Sequence, residues 1–176
     1  GIDDRDEGLL KQGWRIVEKN QGKIYDLVMD MLGYSKEREP DIADVDLNAV
    51  VQEVVELLGP RAAERGIALT ATPAADLPIC PADAEGIHRA LLNIVGNALD
   101  AVEESDSPAV TVTTARDPEP DWVRIAVTDN GPGIPPEKMG DIFKPFVSSK
   151  GARGTGLGLP VSRKILREHG GDIEVE

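Results

Sequence analysis

The sequence has little of what builds disulfide frameworks or cation-rich surfaces. Cys80 is the only cysteine in 176 residues, which excludes an intrachain disulfide and a cysteine-based metal cage. The formal net charge is −13, which argues against a nucleic-acid partner. There is no run of about 18 apolar residues and no signal-peptide pattern, so we expect no membrane span in this sequence. A cytoplasmic location is expected, with any membrane anchor elsewhere in a longer parent protein.

Residues 9–36 carry the spacing of one long amphipathic helix. A narrow stripe of apolar side chains recurs there at alternating steps of three and four residues, interrupted only by Gln21, and consists of Leu10, Trp14, Val17, Ile24, Val28 and Met31. Such a stripe does not stabilise an isolated helix, so the helix needs a partner. That partner is either the body of the same chain or a second helix, and the coiled-coil-like spacing favours the second.

The remaining patterns predict an α/β domain. They indicate helices at 47–65, 83–103 and 157–169, and strands at 66–72, 77–80, 109–115, 122–129 and 172–176. The fold predicted from them is a two-layer α/β sandwich with a mixed, mostly antiparallel sheet, preceded by the long amphipathic helix. We divide the chain into a helical region at 1–39, an acidic linker at 40–46 and an α/β domain at 47–176.

The helix predicted at 83–103 has two unlike faces. The apolar face carries Ile87, Leu91, Ile94, Ala98 and Val102. The opposite face carries Asn93, Asn97 and Asp100, which form helices less readily than the Lys, Glu and Arg usual on a solvated face. Asn supplies an amide oxygen of the kind that Mg²⁺ binds together with water and phosphate. From this helix alone, a metal-binding face and an ordinary polar face are equally well supported.

Two glycine-rich segments favour the interpretation that this part of the chain binds a ligand. Residues 127–134 read VTDNGPGI, a β-branched run that ends at Asp129 before a Gly-x-Gly turn. An acid in that position accepts a hydrogen bond from an exocyclic amine, and the glycines let a flat ring approach the backbone. Residues 154–159 read GTGLGL and lead into a helix, whose free N–H groups and dipole favour phosphate. Together the two segments indicate a nucleotide site.

Four segments of the chain read NIVGNALDA, DNGPGI, IFKPFVSSK and GTGLGL, in that order. With these motifs the chain resembles the ATP-binding domain of sensor histidine kinases, in the superfamily that includes gyrase, Hsp90 and MutL. The resemblance implies a Bergerat-type ATP-binding fold, with ATP and Mg²⁺ as cofactors and one more strand after Glu176. It also implies that residues 14–39 are the second helix of a dimerisation hairpin, through which the parent protein forms a homodimer.

The resemblance further implies roles for individual residues. Asn97, with Asn93 beside it, would hold Mg²⁺, and Asp129 would accept a hydrogen bond from the adenine amino group. Further nucleotide contacts are implied for Asp100, Gly131, Gly133, Ile134, Gly154, Thr155, Gly156, Leu157 and Gly158.

Residues 135–153 separate the two glycine segments and are too rich in proline, glycine and charge for regular structure. We expect them to form a lid over the nucleotide. Phe143 and Phe146, the only phenylalanines, would anchor this lid, either permanently or when nucleotide is bound. Lys150 and Arg153 are the cations expected to contact the triphosphate.

The predicted function is that of the ATP-binding domain of a two-component histidine kinase, whose phosphate finally reaches a response-regulator receiver domain. Gyrase-like relatives have Glu in place of Asn93, and Asn cannot be the general base for water, so slow ATP hydrolysis is expected. Neither His88 nor His169 has the setting of a phospho-acceptor, so we expect the acceptor and any catalytic base to lie outside this sequence. This fragment is therefore not expected to autophosphorylate. The alternatives are a Ser/Thr protein kinase of the anti-sigma-factor type and a non-catalytic, nucleotide-dependent scaffold.

Overall fold

The computed structural model describes residues 8–14, 17, 21, 28, 31, 39–119, 122–148 and 154–176. The chain divides into two units, Gly1–Glu37 and Arg38–Glu176. In the first unit every described residue is helical, as the amphipathic pattern predicted for those from Leu9 onwards. The described residues of its apolar stripe have exposed side chains, namely Leu10, Trp14, Val17, Val28 and Met31.

The described part of the second unit contains two small sheets. In one, β1 (Ala43–Val45) pairs antiparallel with β3 (Cys80–Ala82). The other has the strand order β2 (Ala68–Thr72), β4 (Ala109–Arg116), β5 (Val123–Asp129). Strands β2 and β4 run parallel, whereas β4 and β5 run antiparallel. The predicted mixed, mostly antiparallel pairing is confirmed.

Aspartates begin the two longest helices of this unit. Helix α1 (Leu47–Glu64) starts at Asp46, whose carboxylate accepts hydrogen bonds from the N–H groups of Asn48 and Ala49. Helix α2 (Ala84–Ala101) starts in the same way at Asp83. The single-turn helix α3 (Pro136–Met139) and helix α4 (Gly158–Glu168) follow. Across the described part of the chain, no helix combines the length and the apolar character that crossing a membrane requires.

The core lies between one face of the three-stranded sheet and helices α1 and α2. Strand β4 alternates, so that Val110, Val112 and Thr114 are buried and the residues between them are less so. Helix α1 packs on β2, and α2 packs on β4, β5 and α4. Because α2 has neighbours on several sides, Val95 and Leu99 are fully buried, whereas Ile94, expected inside, is only half-buried. The predicted sandwich of helices on a sheet is confirmed.

Short strands and the lid differ from the predictions. Strand β1 lies inside residues 40–46, expected to be a linker, and β3 begins at Cys80 rather than at Leu77. These two strands exist because they pair with each other, which neither local pattern reveals. The strand expected at 172–176 was wrong: Ile173 donates its N–H to the Asp172 side chain instead of to a neighbouring strand. Helix α3 lies in the segment expected to have no regular structure.

Candidate nucleotide-binding site

The middle of α2 faces the start of α4. Asn93 and Asn97 lie one turn apart and are half-buried. The amide nitrogen of Asn93 donates a long hydrogen bond of 3.5 Å to Ser162 Oγ, and Ser162, fully buried on α4, donates to the Ala90 carbonyl at 3.4 Å. The Asn93 Oδ1 is thereby left as an acceptor, since an amide nitrogen only donates. This oxygen is the atom that a hard cation would use.

Gly158, the first residue of α4, lies directly against this amide. A Cβ at Gly158 would be 3.6 Å from Asn93 Cγ and 3.7 Å from Asn93 Oδ1. Leu157 occupies the N-cap position of α4 and has no side-chain acceptor, so its side chain does not cap the first-turn N–H groups. Thr155 Oγ1 accepts a hydrogen bond from the Leu157 N–H at 3.2 Å, which shapes the turn before the helix. The start of α4 therefore brings a helix N-terminus, whose dipole favours anions, next to the oxygen of Asn93.

A turn after β5 is built on the end of α2. Asp129 is exposed, and its Oδ1 accepts a hydrogen bond from the Gly131 N–H at 2.9 Å. A Cβ at Gly131 would lie 3.0 Å from the Ala101 carbonyl oxygen and 2.9 Å from Asp129 Oδ1, which explains the glycine. Gly133, with a φ of +72°, and the exposed Ile134 continue the turn. The second carboxylate oxygen of Asp129 is then available to accept a hydrogen bond from a ligand.

The base of the predicted lid rests on the second glycine segment. Gly156 has a φ of +66°, and a Cβ there would lie 2.6 Å from Phe146 C and 2.7 Å from Val147 N. Phe146 itself has a φ of +65°, and its N–H donates to the Gly156 carbonyl at 2.9 Å. Its side chain is 66% exposed. The backbone, not the ring, of Phe146 thus joins the lid to this segment, next to Gly154.

The ring of Phe143 contacts Arg163, a residue of α4. The guanidinium of Arg163 lies 4.3 Å from the centroid of the Phe143 ring. Arg163 also makes two hydrogen bonds to the Asp172 carboxylate, at 2.6 and 2.9 Å. This guanidinium holds the pKa of Asp172 well below its usual range. The Phe143 ring is therefore packed against a cation that Asp172 holds in place. Lys150 and Arg153, the cations expected to contact the triphosphate, lie outside the described residues.

Asp100 has a structural partner. Its Oδ1 accepts hydrogen bonds of 3.0 Å from both Arg61 and Arg65, at the end of α1. Arg65 also pairs with Glu103 at 2.9 Å. This ion-pair network ties the ends of α1 and α2 together, so the third polar residue of the predicted ligand face already stabilises the fold.

Sequence reasoning missed several residues near these groups. Ser162 and Arg163 gave no local signal, because small and basic residues are ordinary in a helix. Arg89 had a readable one in its position, one turn before Asn93 on the same side of α2. Across the described ranges, no group of three or more His, Cys, Asp or Glu residues is arranged for a metal ion.

Comparison with known proteins shows to which family this chain belongs. Residues 82–176, more than half of the chain, match the family described as histidine kinase-, DNA gyrase B-, and HSP90-like ATPase. The chain is 32% identical over 161 residues to the sensor histidine kinase ZraS of Escherichia coli (strain K12), a match that covers 92% of this chain but 34% of ZraS. The chain thus spans about a third of the length of that curated relative.

Two solved structures are also similar to this chain in fold. Full-length ShkA in complex with AMPPNP has a TM-score of 0.78 at 29% identity, over 91% of this chain and 34% of ShkA. Histidine kinase ThkA in complex with the response regulator protein TrrA has a TM-score of 0.72 at 28% identity, over 92% of this chain and 45% of ThkA. The chain therefore belongs to the histidine kinase-, DNA gyrase B-, and HSP90-like ATPase family, and it is an ATP-binding domain of the histidine kinase kind.

Proposed function

We propose that this chain binds ATP together with Mg²⁺ and positions the γ-phosphoryl group for transfer to a histidine outside the chain. The observation that carries the proposal is the arrangement of three predicted motifs around α2. These are NIVGNALDA in α2 itself, DNGPGI at the end of β5 and GTGLGL at the start of α4. The turn at Asp129 rests on the end of α2, and Asn93, in its middle, lies against Gly158. Subsites for a base and for phosphates with a metal thereby adjoin each other.

In this proposal each subsite has its own residues. The free carboxylate oxygen of Asp129 accepts from the adenine amine, and Gly131, Gly133 and Ile134 line the ring. The N–H groups of Gly154, Thr155, Gly156 and Gly158 bind phosphate oxygens, assisted by the cations Lys150 and Arg153. The N–H of Leu157, also expected to bind phosphate, already donates to Thr155 Oγ1.

The donor set of α2 suits a hard cation held largely by the nucleotide. Asn97 and Asn93 would each offer Mg²⁺ a neutral amide oxygen, and the phosphates and water complete its coordination. When bound, Mg²⁺ neutralises charge on the phosphates. Because the Asn93 amide cannot take a proton, the site lacks at that position the general base that would activate water. The chain therefore orients ATP and retains the phosphoryl group until a nucleophile from another segment arrives.

The proposal extends to partners of the longer protein. The exposed apolar residues of the first unit, including Trp14 and Val17, form the surface on which we place a second copy of the same helix. The ThkA–TrrA complex supports a response-regulator receiver domain as the final phosphate acceptor. Because ATP is an intracellular reactant, we place this reaction in the cytoplasm.

Calorimetric titration with ATP, with and without Mg²⁺, tests the binding step. Asp129→Asn removes the negative acceptor and should abolish or strongly weaken binding, whereas Asp44→Asn, an exposed aspartate in β1, should leave it unchanged. Binding should tighten with Mg²⁺, and released phosphate should stay near background. Unaltered ATP affinity in Asp129→Asn would contradict the assigned base subsite.

Labelled ATP with a separately supplied helical hairpin that carries the acceptor histidine tests the transfer step. Label on the hairpin, dependent on this chain and on Mg²⁺, is the expected result. Tight Mg-ATP binding without transfer would instead favour a nucleotide-dependent scaffold. Label on serine or threonine of a protein substrate would indicate the anti-sigma-factor type of kinase.

A further inference from the structure

Asn130, which follows Asp129, ends the pairing of β4 with β5 in an unusual way. The last paired residues are Val110 and Asp129, so Ala109 and Asn130 come next. The Asn130 N–H still donates to the Ala109 carbonyl, at 3.3 Å. The Ala109 N–H, however, donates to the side-chain Oδ1 of Asn130 at 2.8 Å. The amide side chain thus takes the place of a backbone acceptor, and the chain can leave the sheet directly after Asp129.

The other polar groups of Asn130 bind the loop between α2 and β4. Its Nδ2 donates to the Ser107 carbonyl at 3.1 Å. Its own carbonyl accepts a hydrogen bond from Ser105 Oγ at 3.2 Å. Ser107 has a φ of +56°, in the left-handed region that serine seldom occupies, so this loop is held in a specific conformation. Asn130 therefore joins the start of the Gly-x-Gly turn to the segment that leaves α2.

The orientation of Asp129 depends on this turn. The Gly131 N–H holds Asp129 Oδ1, and Gly131 lies against the Ala101 carbonyl with no room for a Cβ. The turn is thus attached at two points, at Ala101 by close packing and at 105–109 by Asn130. Without the second attachment, the packing of Gly131 on Ala101 and the pairing of Asp129 with Val110 would remain to hold the turn.

We propose that Asn130 is a positioning residue that sets the base selectivity of the nucleotide site. It would do so by directing the free oxygen of Asp129 at an exocyclic amine. This inference rests on the proposed function, because it assumes that the base lies at Asp129. Asparagine suits the position since one side chain accepts from Ala109 and donates to Ser107. Asp retains the acceptor but not the donor, and Ala retains neither.

The test compares ATP with inosine triphosphate, which has an oxygen in place of the exocyclic amine, by calorimetry in Mg²⁺ on the full chain. Asn130→Ala should reduce the preference for ATP by about tenfold, the scale of one hydrogen bond to a charged group, with little change for inosine triphosphate. Asn130→Asp should give an intermediate loss. Thr128→Ser, on the neighbouring exposed strand residue, should bind both nucleotides as the wild type does.

The outcomes separate this inference from the proposed function. Suppose that Asp129→Asn still abolishes the preference for ATP. If Asn130→Ala then weakens the binding of both nucleotides equally, or leaves the selectivity unchanged, the positioning role is overturned. Failure of the wild type to prefer ATP, or of Asp129→Asn to lose that preference, overturns the assigned base subsite and the positioning role with it. Because Asn130 makes hydrogen bonds to Ala109, Ser107 and Ser105, its variants should unfold at a somewhat lower temperature than the wild type. A single cooperative thermal transition well above the titration temperature would show that they are folded, so that general misfolding does not account for the change in selectivity.

Discussion

Gly156→Ala is the substitution whose effect the geometry defines best. The residue has a left-handed backbone conformation, and its α-carbon faces the peptide between Phe146 and Val147. An alanine Cβ would lie 2.6 Å from Phe146 C, well inside van der Waals contact. The atoms that it meets belong to the backbone, so no side-chain rotation relieves the overlap. The segment from Phe146 must move away from Gly156.

The size of the effect follows from two contributions. A left-handed conformation is less favourable for alanine by roughly 1–2 kcal/mol. Displacing Phe146 also breaks its 2.9 Å hydrogen bond to the Gly156 carbonyl, a further loss of about 1 kcal/mol. Together, about 2–3 kcal/mol correspond to roughly a 30- to 150-fold lower equilibrium constant for attachment of the lid base, since 1.4 kcal/mol is a factor of ten. If ATP binds only the attached arrangement, its affinity falls by up to the same factor.

Gly66→Ala is the matched control. Gly66 has a φ of +68°, nearly that of Gly156, but a Cβ there meets nothing within 4 Å. It should therefore lose stability in urea unfolding and keep its ATP affinity in calorimetry, while Gly156→Ala loses affinity. An ATP affinity of Gly156→Ala within about threefold of that of Gly66→Ala would refute the role given to the contact with Phe146.

Three further substitutions, each followed by urea unfolding, test the rest of the domain. Leu99→Ala empties a fully buried position and should lower the free energy of unfolding by about 2–5 kcal/mol; a change below 1 kcal/mol would contradict its place in the core. Asp46→Ala removes the cap of α1 and should lower it by about 1 kcal/mol, whereas Asp44→Ala should not. Arg163 lowers the pKa of Asp172, so this carboxylate stabilises the fold above its ordinary pKa of 3.8 and the contribution disappears as pH falls towards the lowered value. Asp172→Asn should therefore be less stable than the wild type at pH 7 and converge with it in acid; parallel pH profiles would argue against the ion pair with Arg163.

Two predictions that depend on clear local periodicity were confirmed. Helix α4 was predicted at 157–169 and runs from Gly158 to Glu168. Strand β4 buries Val110 and Val112 as its alternation indicated. In both cases the spacing of apolar residues matches the geometry of the element, and burial on one face stabilises it. The order of the glycine motifs likewise sufficed to predict the family.

Features that depend on distant contacts could not be predicted in this way. Strand β1 has three residues and forms because β3 is available to pair with it. Asp100 has the helical position of a ligand, yet Arg61 and Arg65, more than thirty residues earlier, bind its carboxylate. Ser162 orients the Asn93 amide from another helix. Each of these depends on which surfaces meet after folding, and a single sequence contains no local trace of that meeting.

Helix α2 sets the spacing between the two halves of the candidate site. Asn93 and Ala101 are eight residues apart, about 12 Å along the axis at a rise of 1.5 Å per residue. Gly158 lies against Asn93, and Gly131 against the Ala101 carbonyl. Because both contacts are made to one helix, the distance between the proposed base and phosphate subsites should not depend on the lid. Substitutions in the lid should thus change how tightly a nucleotide is held, while changes at the end of α2 should alter which base is accepted.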